Sequence, residues 1–139
     1  DIVKEIYGDK LDDNYTLVNE LRYKVFEYCA KNETDLIFTV VYGGKEDESI
    51  FKEYISKINE YGFEISFVEL TASSDDLINR VENESRKKYK KLTDQHVMKN
   101  LVADLSVFSI PFVDSLKVNT SELTADESAQ YIAKQLGLL

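Results

Sequence analysis

The sequence predicts an α/β fold of three layers, a mainly parallel sheet with helices on both faces. Three observations predict it. Apolar runs of strand length alternate with longer segments of helical period. The run 36–42 is nearly continuous in apolar and β-branched residues, as in a strand covered on both faces. The segments between strands are long enough to be right-handed crossovers.

Taken in order, residues 1–12 hold a short apolar turn, Ile2, Val3 and Ile6, closed by Gly8. From Asp13 to Lys31 the period is helical. Val18, Leu21, Val25 and Tyr28/Cys29 share one face, with Leu17 and Phe26 beside it. Lys31 and Asn32 suit the end of that helix. The strand 36–42 is broken by Gly43-Gly44. A helix over 46–61 turns Ile50/Phe51, Tyr54/Ile55 and Ile58 inward and stops at Gly62. The alternation of Phe63, Ile65 and Phe67 makes 63–70 a second strand, more open on one face.

Ser73/Ser74 followed by Asp75-Asp76 is a helix start, with Leu77, Ile78 and Val81 as its apolar side. Thr93-Asp94 opens a further helix, with Val97/Met98, Leu101/Val102, Leu105 and Phe108 inward and Pro111 as its stop. A short strand covers 115–119, with Leu116 and Val118 on one side. Thr124 and Glu127 form a capping box for the last helix, which turns Ala129, Ile132/Ala133 and Leu136 inward and ends at Gly137.

A chain of 139 residues is expected to form a single domain, and no repeat or linker divides it. The net charge of −9 argues against a general nucleic-acid binder. No apolar run is long enough to span a bilayer, no signal segment opens the chain, and Cys29 is alone, which fits a cytoplasmic protein. His96, the only histidine, has no second His or Cys to complete a metal site, so no metal ligand is assigned. There is no Gly-x-Ser-x-Gly and no Cys-x-x-Cys. The predicted strands ending at Tyr42 and Leu70 carry no terminal Asp, which sets aside acyl hydrolases, thioredoxin-like modules and receiver-like phosphoacceptors.

Against the acidic background stands the stretch 80–91. It holds six of the seventeen basic residues, Arg80, Arg86, Lys87, Lys88, Lys90 and Lys91, against Glu82 and Glu84. A concentrated positive segment on an acidic body is where an anion binds, if one binds at all.

Four pieces carry a family resemblance: Leu-Ile-Phe-Thr-Val-Val-Tyr-Gly-Gly at 36–44, Phe-Val-Glu-Leu-Thr-Ala-Ser-Ser-Asp-Asp-Leu-Ile-Asn-Arg-Val at 67–81, Glu-Ser-Arg-Lys-Lys-Tyr-Lys-Lys-Leu-Thr-Asp at 84–94, and Leu-Lys-Val-Asn-Thr-Ser-Glu-Leu-Thr-Ala-Asp-Glu at 116–127. In this order they resemble the P-loop nucleoside/shikimate-kinase-like ATPases, among them small bacterial AAA-family ATPases, over about three quarters of the chain. The resemblance implies a partial P-loop kinase-like fold. Its pieces would be the third strand and its loop, the fourth strand with the helix leading to the lid, the lid, and the last strand with the closing helix.

It also implies ATP and Mg2+ as cofactors of the complete protein and a small-molecule or nucleotide acceptor. Arg80 and Arg86 would be the lid arginines, Arg80 on nucleotide phosphate or the adenine-side loop and Arg86 on the transferring phosphate. Asn119 and Thr120 would lie beside the adenine. Thr39, Tyr42, Gly43 and Gly44, at the C-terminal end of the third strand, would face substrate. The plainer alternative for the basic stretch is a solvated helix end with Arg80 and Glu84 paired at i,i+4. The plainer one for Gly43-Gly44 is a simple turn.

The sequence departs from the family at one place. It contains no Gly-x-x-x-x-Gly-Lys-Ser/Thr, the loop whose backbone N–H groups cradle phosphates. The first strand, that loop, its helix and the second strand are therefore expected upstream of Asp1, and this chain by itself is expected to be inactive. The competing expectation is a non-catalytic α/β interaction module, or a degenerate kinase, acting through protein contacts. It would include a homodimer formed through a sheet edge left open.

Overall fold

The structure is a computed structural model and describes residues 16–88, 91–104 and 109–139. It is mixed α/β, with six helices and a two-stranded parallel sheet among the described residues. It divides into two compact units. Of the described residues, the first comprises 16–41 and 45–65, the second 42–44, 66–88, 91–104 and 109–139.

In the first unit, helix α1 (Thr16–Lys31) and helix α2 (Glu48–Glu60), the latter entered through a 3-10 turn at Lys45–Asp47, meet through aromatic rings. Phe26 of α1 is only 2% exposed. Its ring stands edge-on to Phe38 at 5.2 Å and to Tyr54 of α2 at 6.2 Å, with Tyr23 tilted against it at 6.4 Å. Arg22 lies over both the Phe38 and Tyr54 rings, at 5.5 and 5.7 Å from the centroids. Its guanidinium donates to the Tyr54 hydroxyl (2.5 Å) and to Asn19 Oδ1 (3.1 Å), and Tyr54 donates to the same Asn19 oxygen (2.5 Å). The buried Tyr54 thus keeps its polar end satisfied. The Tyr23 hydroxyl is buried and makes no hydrogen bond within normal geometry. Burial first, and then the neighbouring Glu53 carboxylate, push its pKa up.

The face α1 buries is only in part the one its aliphatic spacing predicts: Val18 is half-buried and Cys29 buried as expected, but the rest of the stripe is not. Phe26 and Cys29 are buried and Asn19, Arg22 and Tyr23 are half-buried, whereas Leu17, Leu21, Val25 and Tyr28 are exposed. Large amphipathic side chains cover more apolar surface than the aliphatic stripe counts for, and they set the rotation of the helix.

The strand expected over 36–42 is absent. The segment is extended without ladder partners, and no backbone hydrogen bond joins 36–41 to any described residue. A strand exists through bonds to a neighbour, however strong its β propensity. Its side chains alternate even so. Leu36, Phe38 and Val40 are each about two-fifths exposed, with Phe38 seated on α1 and α2, while Ile37 and Val41 are 94% and 88% exposed.

Both helices end in the double backbone bond that closes a left-handed residue. After α1, Glu33 takes φ +50°, with Glu33 N–H on the Ala30 carbonyl and Thr34 N–H on the Cys29 carbonyl. After α2 the same place is held by Gly62 at φ +82°, where the absence of a Cβ removes the strain that Glu33 carries.

In the second unit, β1 (Phe67–Thr71) pairs in parallel with β2 (Ser115–Asn119), in register Phe67 to Ser115 through Thr71 to Asn119. The expected strand 63–70 is thus shorter at its start, because Phe63–Ser66 have no partner opposite. The remaining elements are α3 (Ser74–Arg80), α4 (Glu84–Lys88), α5 (Gln95–Asp104) and α6 (Ala125–Gln135). Helix α3 meets α5, and α6 lies on β2. Val81 and Val118 are the fully buried apolar side chains among the described residues of this unit. Glu69 and Lys117 are direct cross-strand partners, their charges 3.8 Å apart. Leu105 and Phe108, expected on the inward side of α5, lie outside the described residues, as do Ile2, Val3, Ile6, Gly8, Asp13, Tyr89 and Lys90.

The capping box of α6 forms as expected: Thr124 Oγ1 accepts from Glu127 N–H, and Glu127 Oε2 accepts from Thr124 N–H at 2.8 Å. The inward face of α6 is the expected one except in its first turn, where Ser128 takes the place of Ala129. Ser128 is buried and Ala129 exposed, with Ile132, Ala133 and Leu136 half-buried. The Ser128 hydroxyl makes no hydrogen bond to any described residue. Ser128→Ala is expected to raise the stability of this unit by about 1 kcal/mol, read as a higher urea midpoint at unchanged slope, because it removes an unpaired buried hydroxyl and improves helix propensity.

Candidate functional site

The densest polar arrangement joins the loops that leave the C-terminal ends of β1 and β2. The parallel register sets Thr71 beside Asn119, so both loops start at the same level. Ser73 ends the first loop as the cap of α3, with extended backbone (φ −64°, ψ 153°) and Oγ accepting from Asp76 N–H at 3.1 Å. Its hydroxyl donates to Asp76 Oδ2 at 2.8 Å, and its own N–H donates to Ser121 Oγ at 2.8 Å, which ties the two loops together. The second loop turns on Asn119, whose Oδ1 accepts from Ser121 N–H (3.1 Å) and whose amide donates to Glu122 Oε1 (2.6 Å). Thr120 N–H and Oγ1 both donate to the Thr71 carbonyl, at 2.7 and 2.8 Å.

Arg80, at the end of α3, reaches back to this second loop. One terminal nitrogen donates to Thr120 Oγ1 at 2.9 Å and the other to the Thr120 carbonyl at 2.6 Å. The expected alternative pairing with Glu84 is not made; Glu84 takes Lys87 at 2.9 Å. Arg80, Asn119 and Thr120, singled out from the sequence, therefore meet in one place. Thr71, Ser73, Asp76 and Ser121 complete it. Sequence signals for them existed only locally, as a cap and a turn. Their long-range bonds span nearly fifty positions and follow from the strand register.

Arg86 lies on α4 and is half-buried. Its Nε donates to the Leu92 carbonyl at 2.8 Å, and Lys91 N–H returns a bond to the Arg86 carbonyl at 2.9 Å. The two terminal nitrogens of Arg86 bond to no described residue. Thr39 is exposed in the extended segment of the first unit. Tyr42 stacks edge-on with Phe112 at 6.4 Å, Gly43 is exposed, and Gly44 is buried at φ +100°. Gly44 marks a turn that a side chain would strain. Lone His96 is exposed on α5, its N–H donating to Asp94 Oδ1 at 2.7 Å.

Asp76 is held below the usual carboxylate value of 3.8, first by the Ser121 hydroxyl, next by Ser73, with the Arg80 charge a smaller help. A depressed folded-state pKa contributes stability that is present above the unfolded value and is lost as pH falls through the folded one. Acid unfolding of the second unit is expected to begin below about pH 4. Asp76→Asn is expected to be less stable at pH 7 with a flatter acid limb, as followed by thermal melts between pH 2.5 and 7. An unchanged acid limb would exclude Asp76 as a contributor.

Among the described residues no group of three or more metal-ligating side chains is gathered, and no helix is long and apolar enough to cross a membrane. The described residues supply Arg80 reaching the loop at the end of β2 and Arg86 on α4 but no glycine-rich phosphate cradle, so by themselves they do not fit an ATP–Mg2+ site. No family model matches this chain, and neither a curated protein nor a solved structure is found similar to it.

Proposed function

We propose that the chain is part of a P-loop nucleoside/shikimate-kinase-like ATPase. In the complete protein its sheet would extend to the three-layer arrangement, with ATP-dependent phosphoryl transfer to a small-molecule or nucleotide acceptor. The observation that carries this reading is Arg80, whose forked guanidinium spans Thr120 at the C-terminal ends of two parallel strands, the end at which open α/β sheets bind ligands. Arg86 adds to it. With Nε committed to the Leu92 carbonyl, its two terminal nitrogens remain as the planar pair that suits phosphate oxygens. Thr39, Tyr42, Gly43 and Gly44 are the acceptor-side residues in this reading, Asn119 and Thr120 the base-side ones, and the compartment is the cytoplasm.

The test is ATP turnover by the whole gene product. A glycine-rich Lys-Ser/Thr loop is expected upstream of Asp1. Arg86→Ala is expected to lower kcat by about a thousandfold with little change in ATP affinity. A gene product without that loop, or turnover that Arg86→Ala leaves intact, overturns the reading.

A second reading is favoured by the exposed apolar segment 36–41, with Ile37 and Val41 bare to solvent. It is a non-catalytic α/β module acting through protein contacts, and an unpaired extended segment is the material from which such contacts are built.

A further inference from the structure

We infer that the exposed apolar stripe of α1 docks the same stripe of a second copy, the two helices antiparallel and centred between Val25 and Phe26. The inference goes beyond both readings above and uses neither the arginines of the candidate site nor the segment 36–41. At about 100° per residue, Leu17, Leu21, Val25 and Tyr28 fall within about a quarter-turn of α1, on the side away from the buried Phe26. All four are exposed, Tyr28 most of all at 68%. A tyrosine among aliphatic side chains is the kind of residue enriched where one protein surface meets another.

The charge pattern along one flank of the stripe selects the partner. Glu20, Lys24, Glu27 and Lys31 follow one another there at helical spacing. Antiparallel pairing about a two-fold axis brings this flank against itself. One register pairs all four charges: Glu20 with Lys31 of the second copy and Lys24 with Glu27 of the second copy, each pair repeated by symmetry. The same register interleaves the apolar side chains. At a rise of about 1.5 Å per residue they follow along the seam as Leu21, Tyr28 of the second copy, Val25, Val25 of the second copy, Tyr28 and Leu21 of the second copy, with Leu17 at each rim. Charge and apolar spacing thus agree on one centre.

Within one chain Glu27 already accepts from Lys24 at 2.9 Å and from Lys31 at 2.6 Å, whereas Glu20 has no ion-pair partner among the described residues. The second copy supplies it with one. A parallel copy instead sets the charged flank against the opposite one, where Val18 and Cys29 carry no charge and Arg22 is committed to Tyr54 and Asn19.

A single helix pair buries less than the ~1,600 Å² of a standard interface, so the dimer is weak, with Kd on the order of 100 μM. Sedimentation velocity of the chain from about 10 μM to 1 mM spans that range. The expected result is a monomer–dimer equilibrium in which Val25→Lys raises Kd by about tenfold or more, since it sets two like charges at the centre of the seam. Val25 is 48% exposed, so the monomer keeps its fold, which far-UV circular dichroism checks. A charge exchange reads the register. Glu20→Lys alone and Lys31→Glu alone are each expected to weaken self-association about fivefold, because each sets like charges at both ends of the pair. An equal mixture of the two variants is expected to regain the unsubstituted affinity, since every end contact between the two chains is again of opposite sign.

A mixture that associates no more tightly than its components overturns the register and with it the proposal. A chain monomeric at 1 mM overturns the pairing and leaves the stripe to an occupant other than a second copy. A dimer that Ile37→Lys breaks and Val25→Lys does not overturns it in favour of contacts through 36–41.

Discussion

Phe26→Ala is expected to destabilise the first unit by about 3–5 kcal/mol. Phe26 is among the few fully buried side chains of the chain, and three rings, Tyr23, Phe38 and Tyr54, stand around it. Truncation removes the ring's burial and leaves a cavity that Tyr54, held by its own hydrogen bonds, cannot collapse to fill. Tyr54 is fixed by Arg22 and Asn19. Among the described residues of this unit only Cys29, Phe51 and Tyr54 are buried beside Phe26, so a loss of this size is large against the stability of a small unit. Urea unfolding followed by far-UV circular dichroism is the measurement. The expected result is a much lower midpoint, or loss of the α1 and α2 signal altogether. Phe26→Leu, which keeps most of the volume, is expected to cost less than half as much. A midpoint moved by less than about 1 kcal/mol for Phe26→Ala would mean that the ring cluster is not what holds α1 to α2.

What the sequence discloses and what it withholds divide along the range of the interactions. Local signals were legible: the Ser73 cap, the Thr124/Glu127 box, the stops at Asn32, Gly62 and Gly137, and the strand at 115–119 all stand where the residues put them. Each depends on bonds within a few positions. The strand expected at 36–42 depended on a neighbour, and the extended alternating backbone is present while the ladder is not. The face of α1 is legible only in part: Val18 and Cys29 lie inward as expected, but Leu21 and Val25 give way to Tyr23, Arg22 and Asn19. The long polar side chains proved to be the ones that meet Tyr54. At the site, Arg80, Asn119 and Thr120 were named only through a resemblance. The bond that joins them spans forty positions, and no periodicity encodes it.

Arg80→Ala is expected to cost the second unit about 2 kcal/mol, within the range for hydrogen bonds to charged groups. The guanidinium makes two bonds to one residue, Thr120 Oγ1 and the Thr120 carbonyl, and so fixes the loop after β2 against the end of α3. Removal leaves that carbonyl without its cationic donor in a half-buried place and also strips the aliphatic stem that runs there. Arg80→Lys is expected to recover less than half of the loss, because an ammonium on a flexible stem does not span both acceptors at once. Thr120→Val removes one acceptor and also the hydroxyl bond to the Thr71 carbonyl, so a double-mutant cycle between 80 and 120 separates the two, with a coupling of about 1 kcal/mol expected.

The pH dependence distinguishes this grip from the other tie between the loops. The Ser73–Ser121–Asp76 tie weakens as Asp76 takes a proton, while a guanidinium stays charged across the same range. The cost of Arg80→Ala is therefore expected to persist as the pH falls through the range in which Asp76 takes its proton, while that of Asp76→Asn declines. If Arg80→Ala leaves the urea midpoint unmoved, the arginine contributes nothing to holding the loops, and any importance it has must come from a ligand it meets.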